Sequence, residues 1–77
     1  MIWAVEWSNA IQHDIQRMHW RRAGRICRAV LVFAETGRGD VEDIGLQSCL
    51  RVSGGFALVR FDEATRTIVV HRIFAVR

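Results

Sequence analysis

The stretch Phe56-Ala57-Leu58-Val59-Arg60-Phe61, followed by Asp62-Glu63-Ala64-Thr65 and then Arg66-Thr67-Ile68-Val69-Val70-His71-Arg72-Ile73-Phe74-Ala75-Val76, decides the fold. Two runs rich in β-branched and aromatic residues flank a short polar turn, the pattern of an antiparallel hairpin. A third run, Leu46–Val52, precedes them across the tight turn Ser53-Gly54-Gly55. The chain therefore ends in a three-strand meander. Alternation splits its side chains into two sets, and both are apolar. In Phe56–Phe61, Phe56 and Leu58 oppose Ala57, Val59 and Phe61; in the last strand, Ile68, Val70 and Phe74 oppose Val69 and Ile73. An antiparallel sheet ordinarily wets one face. The second apolar face is then either a binding surface or is covered by residues 37–45 folding over twisted strands.

Upstream, residues 2–7 alternate as a strand, with Trp3, Val5 and Trp7 on one side. Trp3 and Trp7 are expected in the core. Ser8 is a suitable N-cap for a helix from Asn9 to about Trp20, whose apolar stripe is Ile11, Ile15 and Met18. A second helix runs from about Arg21 to Thr36. It buries Ala23, Ile26, Val30 and Phe33, turns Arg21, Arg25 and Arg28 outward, and ends on Gly37 as C-cap. The short link between the helices predicts an antiparallel hairpin. Residues 37–45 read as a loop, and Arg38-Gly39-Asp40 within it as glycine turn chemistry. The expected architecture is α+β, in the order β-α-α-β-β-β: an N-terminal strand and a two-helix hairpin packed on a four-stranded antiparallel sheet.

At 77 residues the chain is one domain, 1–77, and so small a domain buries only about 60% of its unfolded surface. No apolar run approaches the roughly 20 residues of a membrane span. A charge at Glu6 and the polar residues behind it do not read as a signal peptide, so the expected compartment is the cytoplasm. Cys27 and Cys49 sit in no metal-binding pattern and read as small buried hydrophobes; a disulfide between them is the alternative. His13 and His19 do not share a helix face, and no metal or other cofactor is expected. The net charge is +3, and every basic residue is arginine. Arg17, Arg21, Arg22, Arg25 and Arg28 form a run without an acid, whereas Glu35, Asp40, Glu42 and Asp43 cluster behind it. Arginine forks onto phosphates and carboxylates alike, so this face suits RNA or an acidic partner. Trp20, Arg21, Arg25 and Arg28 on the helices, with Val59 and Phe61 on the sheet, are the expected partner-binding residues.

The order of these pieces resembles the RelE/ParE superfamily of toxins. The similarity rests on Trp7-Ser8-x-Ala10, the arginine-rich helix ending at Ala34-Glu35-Thr36-Gly37, Gly39-Asp40-Val41, Leu50-Arg51-Val52-Ser53-Gly54-Gly55-Phe56, Val59-Arg60-Phe61-Asp62, and Arg66-Thr67-Ile68-Val69-Val70-x-Arg72-Ile73. The resemblance implies the toxin of a type II toxin–antitoxin (plasmid stabilization) system, silenced by a cognate antitoxin protein. One branch is ribosome-dependent and cuts mRNA without metal; another inhibits DNA gyrase and is not a nuclease. Metal-free RNA cleavage needs a base for the 2′-hydroxyl, cations for the phosphorane and an acid for the leaving oxygen. In the RNA-cleaving branch these are basic residues of the sheet and a C-terminal tyrosine. Here the two lysine positions fall near Gln47 and Cys49, and one arginine position falls on Ala57. The C-terminal arginine falls on Arg77 or, displaced by one, on Val76, and the chain has no tyrosine. Arg51, Arg60, His71, Arg72 and Arg77 remain as candidate catalytic residues. His71 is the one suited to proton transfer, since histidine changes charge near neutral pH; its plain alternative is an ordinary strand residue. For Arg51, Arg60 and Arg72 the alternative is a solvated sheet edge or pairing with antitoxin carboxylates. Translation inhibition by an endoribonuclease, gyrase inhibition, and a homologue that only binds its antitoxin are the three readings. Self-association as a homodimer stays open.

Overall fold

The computed structural model describes residues 2–52 and 54–76. Ser53 of the expected turn and the candidate Arg77 lie outside the described residues. The elements are β1 (Ala4–Trp7), α1 (Ala10–Arg17), α2 (Trp20–Thr36), β2 (Asp40–Ile44), β3 (Gln47–Val52), β4 (Gly55–Asp62) and β5 (Thr67–Ala75). The strands form one sheet in the order β1-β5-β4-β3-β2, with α2 packed across β3, β4 and β5 and α1 chiefly on β5. The class is α+β, as expected, and the C-terminal meander is present, with one irregularity in the pairing of β4 and β5.

Two features of the sheet depart from expectation. It has five strands rather than four, because Asp40–Ile44 pairs antiparallel with β3. Three of those five residues are acidic, and only Val41 is turned even partly inward. An edge strand needs little apolar content, and charge there discourages pairing with another chain, so the composition of a loop served equally for a strand. The sheet is also mixed: β1 runs parallel to β5, with Val5 opposite Ile68 and Trp7 opposite Val70.

The helix boundaries shift by local causes. α1 stops at Arg17 because Met18 is extended, and α2 begins at Trp20 under a cap from His19, whose Nδ1 accepts from the Arg21 N–H at 3.2 Å. Ser8 does not cap α1; its hydroxyl donates to the His71 carbonyl at 2.8 Å and ties the helix start to β5. Gly37 ends α2 in the left-handed region (φ 73°), its N–H on the Phe33 carbonyl. The Ile2 and Trp3 amides both donate to the Ala34 carbonyl, fastening the start of the chain to the end of α2.

The core lies between α2 and the sheet. Ile26 and Val30 meet Leu50, Ala57, Val59, Ile68, Val70 and Ile73, all at most 2% exposed. Burial of each aliphatic side chain of this size contributes about 1.5–3 kcal/mol. The Phe61 ring packs inward against Trp3 and Phe33, with centroids 5.1 and 5.9 Å away. Trp3 is buried as expected, but Trp7, at the end of the edge strand, is 36% exposed. No helix of the described residues is long and apolar enough to cross a membrane.

Candidate functional site

Register identifies the side chains on the face turned away from the helices. Arg51 lies opposite Phe56, Cys49 opposite Leu58, Phe56 opposite Phe74, and Arg60 opposite Val69. Their neighbours along each strand, Leu50, Ala57, Val59, Ile68, Val70 and Ile73, are the buried ones. The outer set therefore forms the open face, where Phe56, Leu58, Cys49, Val69 and Phe74 are only half-buried and Arg51 and Arg60 are exposed. Residues 37–45 do not cover it, since most of them extend the sheet sideways as β2.

A bulge determines who belongs to this face. Leu58 faces Arg72 but Val59 faces Val70, leaving His71 unpaired in β5. The extra residue resets the alternation. Ile73 thus joins Ile68 and Val70 inside, whereas Phe74 joins Val69 outside, the reverse of a strict period of two. Phe74 stacks on Phe56 at 4.8 Å and 25°. The two expected sheet contacts for a partner are corrected in the same way. Val59 is 1% exposed and Phe61 packs on the core, so neither is offered to another molecule; Phe56, Leu58 and Phe74 hold the open positions instead.

Among the candidate catalytic residues, the structure places Arg51 and Arg60 on this one face, on adjacent strands. Arg60 lies four positions along β4 from Phe56, which faces Arg51, so the two arginine positions stand at the ends of an apolar floor roughly 13 Å long. Arg51 pairs with Glu42 at 2.7 Å, both side chains more than half exposed; such a surface pair is weak and readily exchanged. Arg60 makes no ion pair among the described residues. A hollow of about 600 Å³ lies where Cys49, Arg51, Gly55, Phe56 and Val76 meet. His71 is half-buried at the bulge, its backbone held by Ser8.

Arg72 is committed elsewhere. Its Nε donates to both carboxylate oxygens of Asp14 at 3.1 and 2.9 Å, its Nη2 donates at 2.7 Å, and the Ile73 N–H donates to the same carboxylate at 3.0 Å. The Arg72 guanidinium, followed by the Ile73 amide, holds the Asp14 carboxyl below its ordinary value of 3.8 against the opposing effect of burial. Arg72 is thereby a clasp between α1 and β5 rather than a ligand poised for phosphate. Asp14 was missed in the sequence; its signal was an acid three residues after Ile11, within reach of the buried stripe.

On α2, Trp20 is 70% exposed, and Arg21, Arg25 and Arg28 project outward as their spacing predicts. Both cysteines are free and half-buried, and burial pushes the Cys27 thiol up. No three histidine, cysteine, aspartate or glutamate side chains converge as a metal site among the described residues.

No protein-family model matches the chain, and no curated protein matches it in sequence. In three dimensions it is similar to a chain of the crystal structure of the toxin–antitoxin complex RelBE2 from Mycobacterium tuberculosis, with a TM-score of 0.73 and 16% identity, over 99% of this chain and 100% of that one. The two share a fold.

Proposed function

We propose that this chain is the toxin of a type II toxin–antitoxin module and that it acts on mRNA at the ribosome. The observation that carries the reading is the half-buried, arginine-flanked apolar face turned away from the helices, on a fold shared with a chain of a toxin–antitoxin complex. A 77-residue domain with one uncovered apolar sheet face is suited to a protein that spends part of its life covered. The antitoxin fits that face with apolar anchors over Phe56, Leu58 and Phe74 and carboxylates toward Arg51 and Arg60, and so masks the surface that meets the target.

In cleavage, a guanidinium beside the scissile phosphate stabilises the charge gathering on its oxygens as the 2′-oxygen attacks. Arg51 serves that role, and Arg60, four positions along β4 from Arg51's partner, holds a neighbouring phosphate. The proton leaving the 2′-hydroxyl and the proton reaching the 5′-oxygen need a titratable group, and His71 is the candidate. The test is cell-free translation with the purified chain. Arrested synthesis and cut messages are expected, with Arg51→Ala lowering cleavage about 100-fold. Intact messages with normal protein output remove the reading.

A second reading has its own support. The chain contains neither lysine nor tyrosine, Ala57 is buried, and Arg72 is tied to Asp14. This is the composition of a binder that inhibits without cleaving, with gyrase as the target. Inhibition of gyrase supercoiling with intact messages selects it.

A further inference from the structure

We infer that the N-terminal half of α2 is a second RNA-binding surface, continuous with the open face of the sheet, on which one single strand runs past Arg51 and stacks a base on Trp20. The inference rests on the mRNA reading above and extends it to a different side of the molecule.

Three observations carry it. The first is the tryptophan. Trp20 is 70% exposed, at the start of a helix, with His19 stacked at 5.7 Å and the Arg21 guanidinium 5.2 Å from its ring centre. An aromatic ring held in place yet open to solvent, with a cation beside it, is a stacking platform for a base. The second is charge. Arg21, Arg22, Arg25 and Arg28 are all exposed, no acid occurs between residues 17 and 34, and none of the four enters an ion pair among the described residues. The third is continuity. The groove of about 320 Å³ beside Trp20 and Gly24 shares Arg25 and Arg28 with a groove of about 340 Å³ between α2 and β3. That second groove reaches Arg38 and Arg51, and Arg51 and Val52 also line the hollow on the open face. Arg51 is thus the rim over which a strand passes from one face to the other.

The chemistry favours RNA over an acidic protein. Protein interfaces take their affinity from several buried apolar anchors, and the outward surface of residues 20–28 offers one ring among guanidiniums. Apolar exposure on α2 begins later, at Leu31 and Val32.

The experiment is a titration of the full chain with a labelled single-stranded RNA of about 16 nucleotides, the upper end of single-domain site sizes. Anisotropy is followed across salt concentrations, and tryptophan fluorescence alongside it. RNA is expected to quench Trp20. Trp20→Ala should weaken binding about tenfold, with Trp20→Phe recovering part of it. Arg25→Gln with Arg28→Gln should flatten the log–log salt slope by about 1.4, near 0.7 for each lost phosphate contact. These side chains are exposed, so unchanged melting is the control for folding. If Arg51→Gln with Arg60→Gln abolishes binding while the α2 variants bind with full slope, RNA stays on the sheet; the inference fails and the mRNA reading stands. If the wild-type chain binds no RNA, the inference fails, and the mRNA reading is decided separately by the cell-free translation assay. Quenching of Trp20 by a glutamate-rich peptide and not by RNA makes α2 a protein-binding surface and overturns the inference alone.

Discussion

Where β1 stops at Trp7, opposite Val70, the outer edge of β5 continues without a strand beside it, and Ser8 and α1 supply the missing partners one side chain at a time. The Ser8 hydroxyl donates to the His71 carbonyl, and the Asp14 carboxylate accepts from the Ile73 N–H. Asp14 is 5% exposed, and its buried charge is compensated by Arg72. Its folded pKa lies below its ordinary value, so protonating it is linked to unfolding. The stabilisation is whole above about pH 4, where the unfolded carboxylate is ionised too, and is lost as pH falls through the lower folded value. Asp14→Ala should lower stability by about 2 kcal/mol, chiefly by stranding the buried Ile73 amide. Urea unfolding between pH 7 and pH 3 should show a flatter acid limb in the variant; an equally steep one would place the acid sensitivity elsewhere. Arg72→Ala should destabilise more at neutral pH than at low pH, because the carboxylate it leaves behind is charged only at the former.

At the scale of elements, α2 is the part whose two faces do different work. Its inner stripe of Ala23, Ile26, Val30 and Phe33 is the core, and its outer arginines remain in solvent. Two glycines near it test how closely the elements approach. A methyl group on Gly55 would overlap the Phe74 carbonyl oxygen and come within 2.7 Å of Ile26 Cδ1. That oxygen belongs to the β4–β5 pairing and cannot yield freely. A methyl group on Gly24, in the exposed helix interior, meets nothing within 4 Å. Gly55→Ala should therefore cost about 1–3 kcal/mol, whereas Gly24→Ala should gain up to about 1 kcal/mol. Thermal melts of both variants check the pair. Opposite signs are expected, and a tolerated Gly55→Ala would contradict the close packing of β4 against α2 and β5.

For the molecule as a whole, one sheet face is sealed by helices and the other is turned away from them. Leu58 lies at the middle of that open face, between Cys49 and Arg72 in the register, and contributes little to the core. Leu58→Glu should lower the stability of the isolated chain by about 1–2 kcal/mol, in line with a half-buried position outside the core. It should weaken binding of the proposed antitoxin by about 30-fold, the loss expected when a central apolar anchor becomes a charge. Calorimetric titration against the cognate antitoxin, with a melt of the free variant, separates the two effects. Undiminished affinity would move the antitoxin to another surface.

Local pattern alone determined much of this. The period of α2 identified its buried and its arginine faces, the glycine at 37 its end, and the β-branched runs the C-terminal meander, because each depends on neighbours within a few residues. Alternation also showed that both faces of the meander are apolar. It could not show which face the helices would cover, and so Val59 and Phe61 were expected outside and Phe56 and Leu58 were not. That choice, the reset of register at His71, the parallel seat of β1, the recruitment of the acidic segment 40–44 as an edge strand, and the clasp of Asp14 on Arg72 all join residues distant in the chain. Their energies exist only once the sheet has closed against the helices, so only the tertiary structure decided them.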